Sequence, residues 1–111
     1  MDIESIVIQQ LKKAGIQAGL SVKGDTCVTV VRVGGGLSTY GIVDKPQLVF
    51  AARAATPKEA LNLAQRAQQV VLHTRMIDNI FDVQITTQYR DDDPDTRQPR
   101  YKFNAEFVTN N

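Results

Sequence analysis

The chain has a single cysteine, no tryptophan, four prolines and a net charge of only +1, from thirteen Lys and Arg against twelve Asp and Glu. Each shortage excludes something. A lone Cys27 cannot close an internal disulfide or complete a four-ligand zinc site. A charge balance this even gives no global field to draw the protein onto nucleic acid or an anionic membrane. No apolar run approaches the roughly twenty residues that span a bilayer. The first residues offer Asp2 and Glu4 where an export signal carries lysines, so the expectation is a protein of a reducing compartment with no membrane partner. What is present suits one globular domain over residues 1–111: 42% hydrophobic and 23% charged residues, enough for a core without staples.

The pattern along the chain alternates between two periods. Asp2 is a natural N-cap, and Ile3, Val7, Leu11 and Ala14 share a helical face that Gly15 ends. From Gln17 the period becomes two: Ala18, Leu20 and Val22 alternate with polar residues as far as a Gly24-Asp25 turn. Thr26 to Val33 then reads as a strand apolar on both faces, and the two segments together predict a hairpin. Gly34 to Asp44 has no period and reads as a loop. A strand follows Pro46, with Leu48, Phe50 and Ala52 on one side and Val49 and Ala51 on the other. Thr56-Pro57-Lys58-Glu59 has the form of a capping box and opens a helix to about Thr74, with Ala60, Ala64, Ala67 and Val71 as its inner stripe. Two strands finish the pattern: Val83, Ile85, Thr87 and Tyr89 on one apolar face, then Tyr101, Phe103, Ala105 and Phe107 on another, separated by the Asp-rich segment 91–99. The fold class is therefore α+β, a single mostly antiparallel sheet with two helices packed on one face, in the order α-β-β-β-α-β-β.

Catalytic and ligand-binding patterns begin and then break off. Gly36-Leu37-Ser38-Thr39-Tyr40-Gly41 has the spacing of a phosphate-binding loop, but Ile42 and Val43 stand where Lys and Ser/Thr are needed. Asp91, Asp93 and Asp95 occupy alternate positions as in a calcium loop, yet Thr96 replaces its glycine and Lys102 its bidentate acid. Cys27 and His73 are the sole nucleophile–base candidates, one in a Val/Thr strand and the other on a polar helix face. The carboxylates Glu4, Asp25, Asp44, Glu59, Asp78, Asp82 and Glu106 show no spacing that fixes two over one pocket. The reading is a protein without enzymatic activity, cofactor or metal. A small sheet-based RNA or single-strand-binding module is the alternative, but it needs exposed aromatics between basic residues, and Tyr101, Phe103 and Phe107 fall on the apolar side.

Interaction surface is what remains. The long loops, and strand faces carrying Gln84, Thr86, Gln88 and Asn104, suit a subunit of an assembly. The succession Asp44-Lys45-Pro46-Gln47-Leu48-Val49-Phe50, then Thr56-Pro57-Lys58-Glu59-Ala60, then Asp93-Pro94-Asp95-Thr96 and Arg100-Tyr101-Lys102-Phe103 resembles the tail terminator (tail completion, head–tail joining) proteins of long-tailed bacteriophages. That resemblance spans about Leu20 to Thr109. It implies a homohexameric ring in the virion, assembled in the host cytoplasm, that caps the tail tube protein and stops its polymerisation. The ring would also meet the head-completion (stopper) protein and let DNA through its lumen without sequence-specific binding. Loop position and charge then single out Arg90, Asp91, Asp92, Asp93, Asp95, Arg97 and Arg100 for subunit or tube contacts, with Gly34, Gly35 and Gly36 as an adaptable junction.

Overall fold

A computed structural model describes residues 2–21, 24–34 and 43–110. Its elements in order are α1 (Ile3–Lys13), β1 (Ala18–Gly19), β2 (Cys27–Gly34), β3 (Val43–Asp44), β4 (Gln47–Arg53), α2 (Pro57–His73), a 3-10 turn (Thr74–Met76), β5 (Ile80–Arg90) and β6 (Arg100–Asn110). Both helices begin at side-chain caps. Asp2 accepts the Ser5 N–H at 3.2 Å and the Ser5 hydroxyl at 2.7 Å, which holds its carboxyl below the ordinary range. Thr56 Oγ1 accepts the Glu59 N–H at 3.2 Å, with Pro57 in the first turn where its missing N–H costs nothing. Gly15, at φ +83°, ends α1 by letting the Ile16 N–H return to the Leu11 carbonyl at 3.0 Å.

One core joins the two layers. Ile3, Val7 and Leu11 of α1 and Leu63, Ala64, Ala67 and Val71 of α2 pack with Val28, Val30, Leu48, Phe50, Ala52, Phe103, Ala105 and Phe107 of the sheet. Phe50 and Phe103, paired across β4 and β6, stack at 4.7 Å. The alanines of α2 let that helix lie close to the strands beneath it.

The sheet has six strands among the described residues, and it is mixed where a mostly antiparallel one was expected. Pairs β2/β4, β3/β6, β4/β6 and β5/β6 are antiparallel, but β1 runs parallel to β2 with Ala18 opposite Val28. The expected first hairpin is thus absent. Burial overrides alternation there: Ile16 and Ala18 enter the core, Leu20 is 62% exposed, and the Val28 N–H reaches the Gln17 carbonyl at 2.9 Å. Val22 lies outside the described residues.

The element order also gains a strand, becoming α-β-β-β-β-α-β-β, because β3 forms at the end of the expected loop. Glu106 is flanked by Gln47 and Gln84, and Thr109 by Asp44 and Ile80. So β3 and β4 share one edge of β6, broken at Pro46, whose carbonyl still accepts the Phe107 N–H at 2.9 Å. On β5 the register slips between Ile85 and Thr87. That bulge moves Tyr89 from the apolar face, where alternation put it, to the opposite face beside Lys102.

Candidate interaction site

Helices cover one face of this sheet, and among the described residues no helix covers the other. Cross-strand rows define the open face: Thr29, Ala51, Lys102 and Tyr89 in one, Val31, Val49, Asn104 and Thr87 in the next. Its two halves differ. Towards β5 and β6 it is polar, with a depression of about 270 Å³ among Gln47, Thr86, Asn104 and Glu106. Towards β2 and β4 it is more apolar, with a depression of about 360 Å³ between Val31, Val33, Val49, Ala51 and Tyr89 that Thr29, Arg100 and Lys102 also border. Val31 is 48% exposed and Val33 56%. A strand apolar on both faces is normally covered on both; β2 is covered on one.

The Asp-rich segment 91–99 folds back across the end of this face. Asp93 is its buried centre. One carboxylate oxygen accepts the N–H groups of Asp95 and Thr96 at 2.9 and 3.3 Å, and the other meets Arg53 at 3.1 Å. Those backbone donors first, then the two neighbouring arginines, hold Asp93 below the ordinary carboxylate range. Arg53 also donates to the Gly24 carbonyl at 2.8 Å, so Asp93 is linked through it to the chain entering β2. Asp91 is held by Lys102 at 2.8 Å and Arg100 at 3.4 Å, and Asp92 by Arg90 at 2.9 Å; both carboxyls are lowered by these hydrogen bonds and charges.

Of the residues singled out from sequence, Arg90, Asp91, Asp92, Asp93 and Arg100 are brought together here, but largely with one another. Asp95 and Arg97 stand exposed at the tip, Arg97 at φ +60°. Gly34 closes β2, while Gly35 and Gly36 lie outside the described residues, as does the phosphate-loop spacing they begin. Among the described residues no three His, Cys, Asp or Glu side chains gather as a metal site. Cys27 is buried with its sulfur 3.2 Å from Arg53, its partner across β2 and β4, whereas His73 ends α2 with a ring nitrogen 3.2 Å from the Gln69 carbonyl. No helix among the described residues is long and apolar enough to cross a membrane. Tyr101, Phe103 and Phe107 face the helices, Lys102 and Arg100 are engaged by Asp91, and Tyr89 is the aromatic exposed on the open face.

No family model matches the chain, and no curated protein matches its sequence. A solved structure does match: a chain in the virion of a native gene transfer agent (GTA) particle, with a TM-score of 0.76 over 95% of this chain and 92% of that one. The two share a fold. Their sequences are 10% identical, so the likeness speaks for architecture alone.

Sequence reasoning missed Val31, Val33, Tyr89, Arg53 and Lys102. A signal for the first two was present in β2, whose double-sided apolar pattern called for a cover that the described residues do not supply. Arg53 and Tyr89 carried no such mark.

Proposed function

We propose that this protein is a structural component of a phage-like virion, and within it a tail terminator. Copies form a ring, six in the arrangement the sequence resemblance implies, that caps the tail tube, stops its polymerisation and joins it to the head-completion protein. DNA passes through the lumen without sequence-specific contact, and no reaction is catalysed. The observation that carries this reading is the fold shared, end to end, with a chain of a GTA virion particle. It supports, from backbone geometry, a structural protein of a phage-like virion, while the terminator role rests on the motif succession.

The mechanism is mass action on a closed ring. Each subunit divides its contacts between two neighbours, so a pair binds weakly while closure makes all contacts at once. A net charge of +1 imposes little repulsion between copies. Docking onto a tube end then favours the ring by linkage. In this scheme the exposed tip residues Asp92, Asp95 and Arg97 reach the tube or a neighbour, the inner Asp93–Arg53 contact holds the tip in shape, and the glycines from Gly34 onward adapt at a junction.

The test is to mix purified protein with tail tubes polymerised from the tube subunit and image the ends. Tubes of bounded length with a ring at one end are expected. Unbounded tubes with bare ends, and protein left as monomer in the supernatant, would contradict the proposal.

A further inference from the structure

Six large hydrophobic side chains stand exposed among the described residues: Leu20, Val31, Val33, Met76, Phe81 and Tyr89. Scattered singly, such residues need no explanation. Here they segregate. Leu20, Val31 and Val33 belong to the β1–β2 side of the sheet, and Met76 and Phe81 to the start of β5 and the turn entering it, while Tyr89 near the far end of β5 borders the same depression as Val31 and Val33. The strand order puts these groups at opposite edges, with β4 and β6 between.

Each group also borders unpaired backbone. β1 covers β2 only at Val28 and Thr29, so from Val30 to Gly34 the outer N–H and C=O groups of β2 have no strand beside them among the described residues. The outer edge of β5 is open in the same sense. Neither edge is guarded by proline. By β2 the nearby charge is paired, Arg32 with Asp44 at 3.2 Å, whereas exposed Arg75, Asp78 and Asp82 flank the Met76–Phe81 corner.

The geometry points to a head-to-tail contact between copies, in which the β2 edge with Val31 and Val33 receives the Met76–Phe81 corner and β5 edge of the next copy. This rests on the ring reading and names the surfaces that would close it. A second copy is the occupant the observations favour. Each copy carries both edges, and each edge offers unpaired strand backbone beside exposed apolar side chains, so one edge can complete the other by strand pairing. Because the surfaces differ and lie on opposite edges, their pairing is heterologous, the symmetry that builds rings and not isolated dimers.

The experiment uses the full chain as wild type, as Val31→Asp/Val33→Asp and as Met76→Asp/Phe81→Asp, with mass measured by sedimentation velocity and folding checked by thermal melting. Wild type should assemble, and each variant alone should stay monomeric with an unchanged melt. An equimolar mixture of the two variants should give a one-to-one dimer, since each retains the surface the other has lost, and no ring. If a double variant fails to fold, Val33→Asp and Met76→Asp repeat the test. Rings formed by both variants would overturn these surfaces while leaving the ring reading intact. Variants that stay monomeric even when mixed would overturn the pairing of one edge with the other. A wild type that remains monomeric with and without tail tubes would remove the ring reading, and this inference with it.

Discussion

The Asp-rich tip and the free end of β2 are opposites in a way their sequences conceal. The tip looks like an interaction motif, dense in charge and set in a loop, yet its centre is used internally: Asp93 takes two backbone N–H groups and Arg53, and Asp91 takes Lys102 and Arg100. The end of β2 looks like ordinary core strand, yet Val31 and Val33 are half in water and, among the described residues, no strand pairs with its outer edge. Charge density is therefore a poor guide to where a partner binds when the charges already have partners. Unmet apolar surface is the better guide, because its demand for cover is still outstanding.

Four changes, in descending order of effect, sharpen or break that contrast. The largest falls on the core beneath both regions. Phe103→Ala removes one ring of the stacked Phe50 pair and should cost about 3–5 kcal/mol by urea denaturation. Next, Val31→Asp with Val33→Asp should weaken self-association at least about tenfold, equivalent to about 1.4 kcal/mol. The same variant should move monomer stability by less than about 1 kcal/mol. A large loss of stability with assembly unchanged would reverse the contrast between strand and tip.

Third, Asp93→Asn should lower stability and flatten its acid dependence. The sign follows from the lowered carboxyl: its contribution is complete above the unfolded carboxylate range and is lost as pH falls through the folded value. Urea midpoints from about pH 6 down to about pH 2 should therefore fall more steeply for wild type than for the variant; parallel curves would show that the tip is not held by this group. The smallest effect belongs to Arg90→Ala, which removes the exposed pair with Asp92 and should leave the melting temperature unchanged.

What the sequence made legible was local. The α2 helix begins with Thr56, Pro57 and Glu59, and its Ala60, Ala64, Ala67 and Val71 stripe is fully buried, since capping and helical period act within a few residues. What stayed hidden depended on distant partners or on backbone register. β1 departs from its alternation because Ile16 and Ala18 are claimed by the core. β3 is only two residues, too short to leave a period. Tyr89 changes face through a bulge in Ile85-Thr86-Thr87, where nothing in the residue types distinguishes a bulged strand from a regular one. Asp93 differs from its neighbouring aspartates because Arg53, forty residues away in sequence, lies beside it. The open face was legible in half: the double apolar pattern of β2 was readable, but not that one side would remain uncovered.

The most direct test of the central claim is the mass of the wild-type particle in solution, measured across a concentration series and joined to negative-stain images of the same sample. The account predicts closed rings of uniform mass, six subunits each, whose population rises with concentration or when tail-tube ends are present. A single species at the monomer mass of 12.3 kDa under every one of those conditions would contradict it.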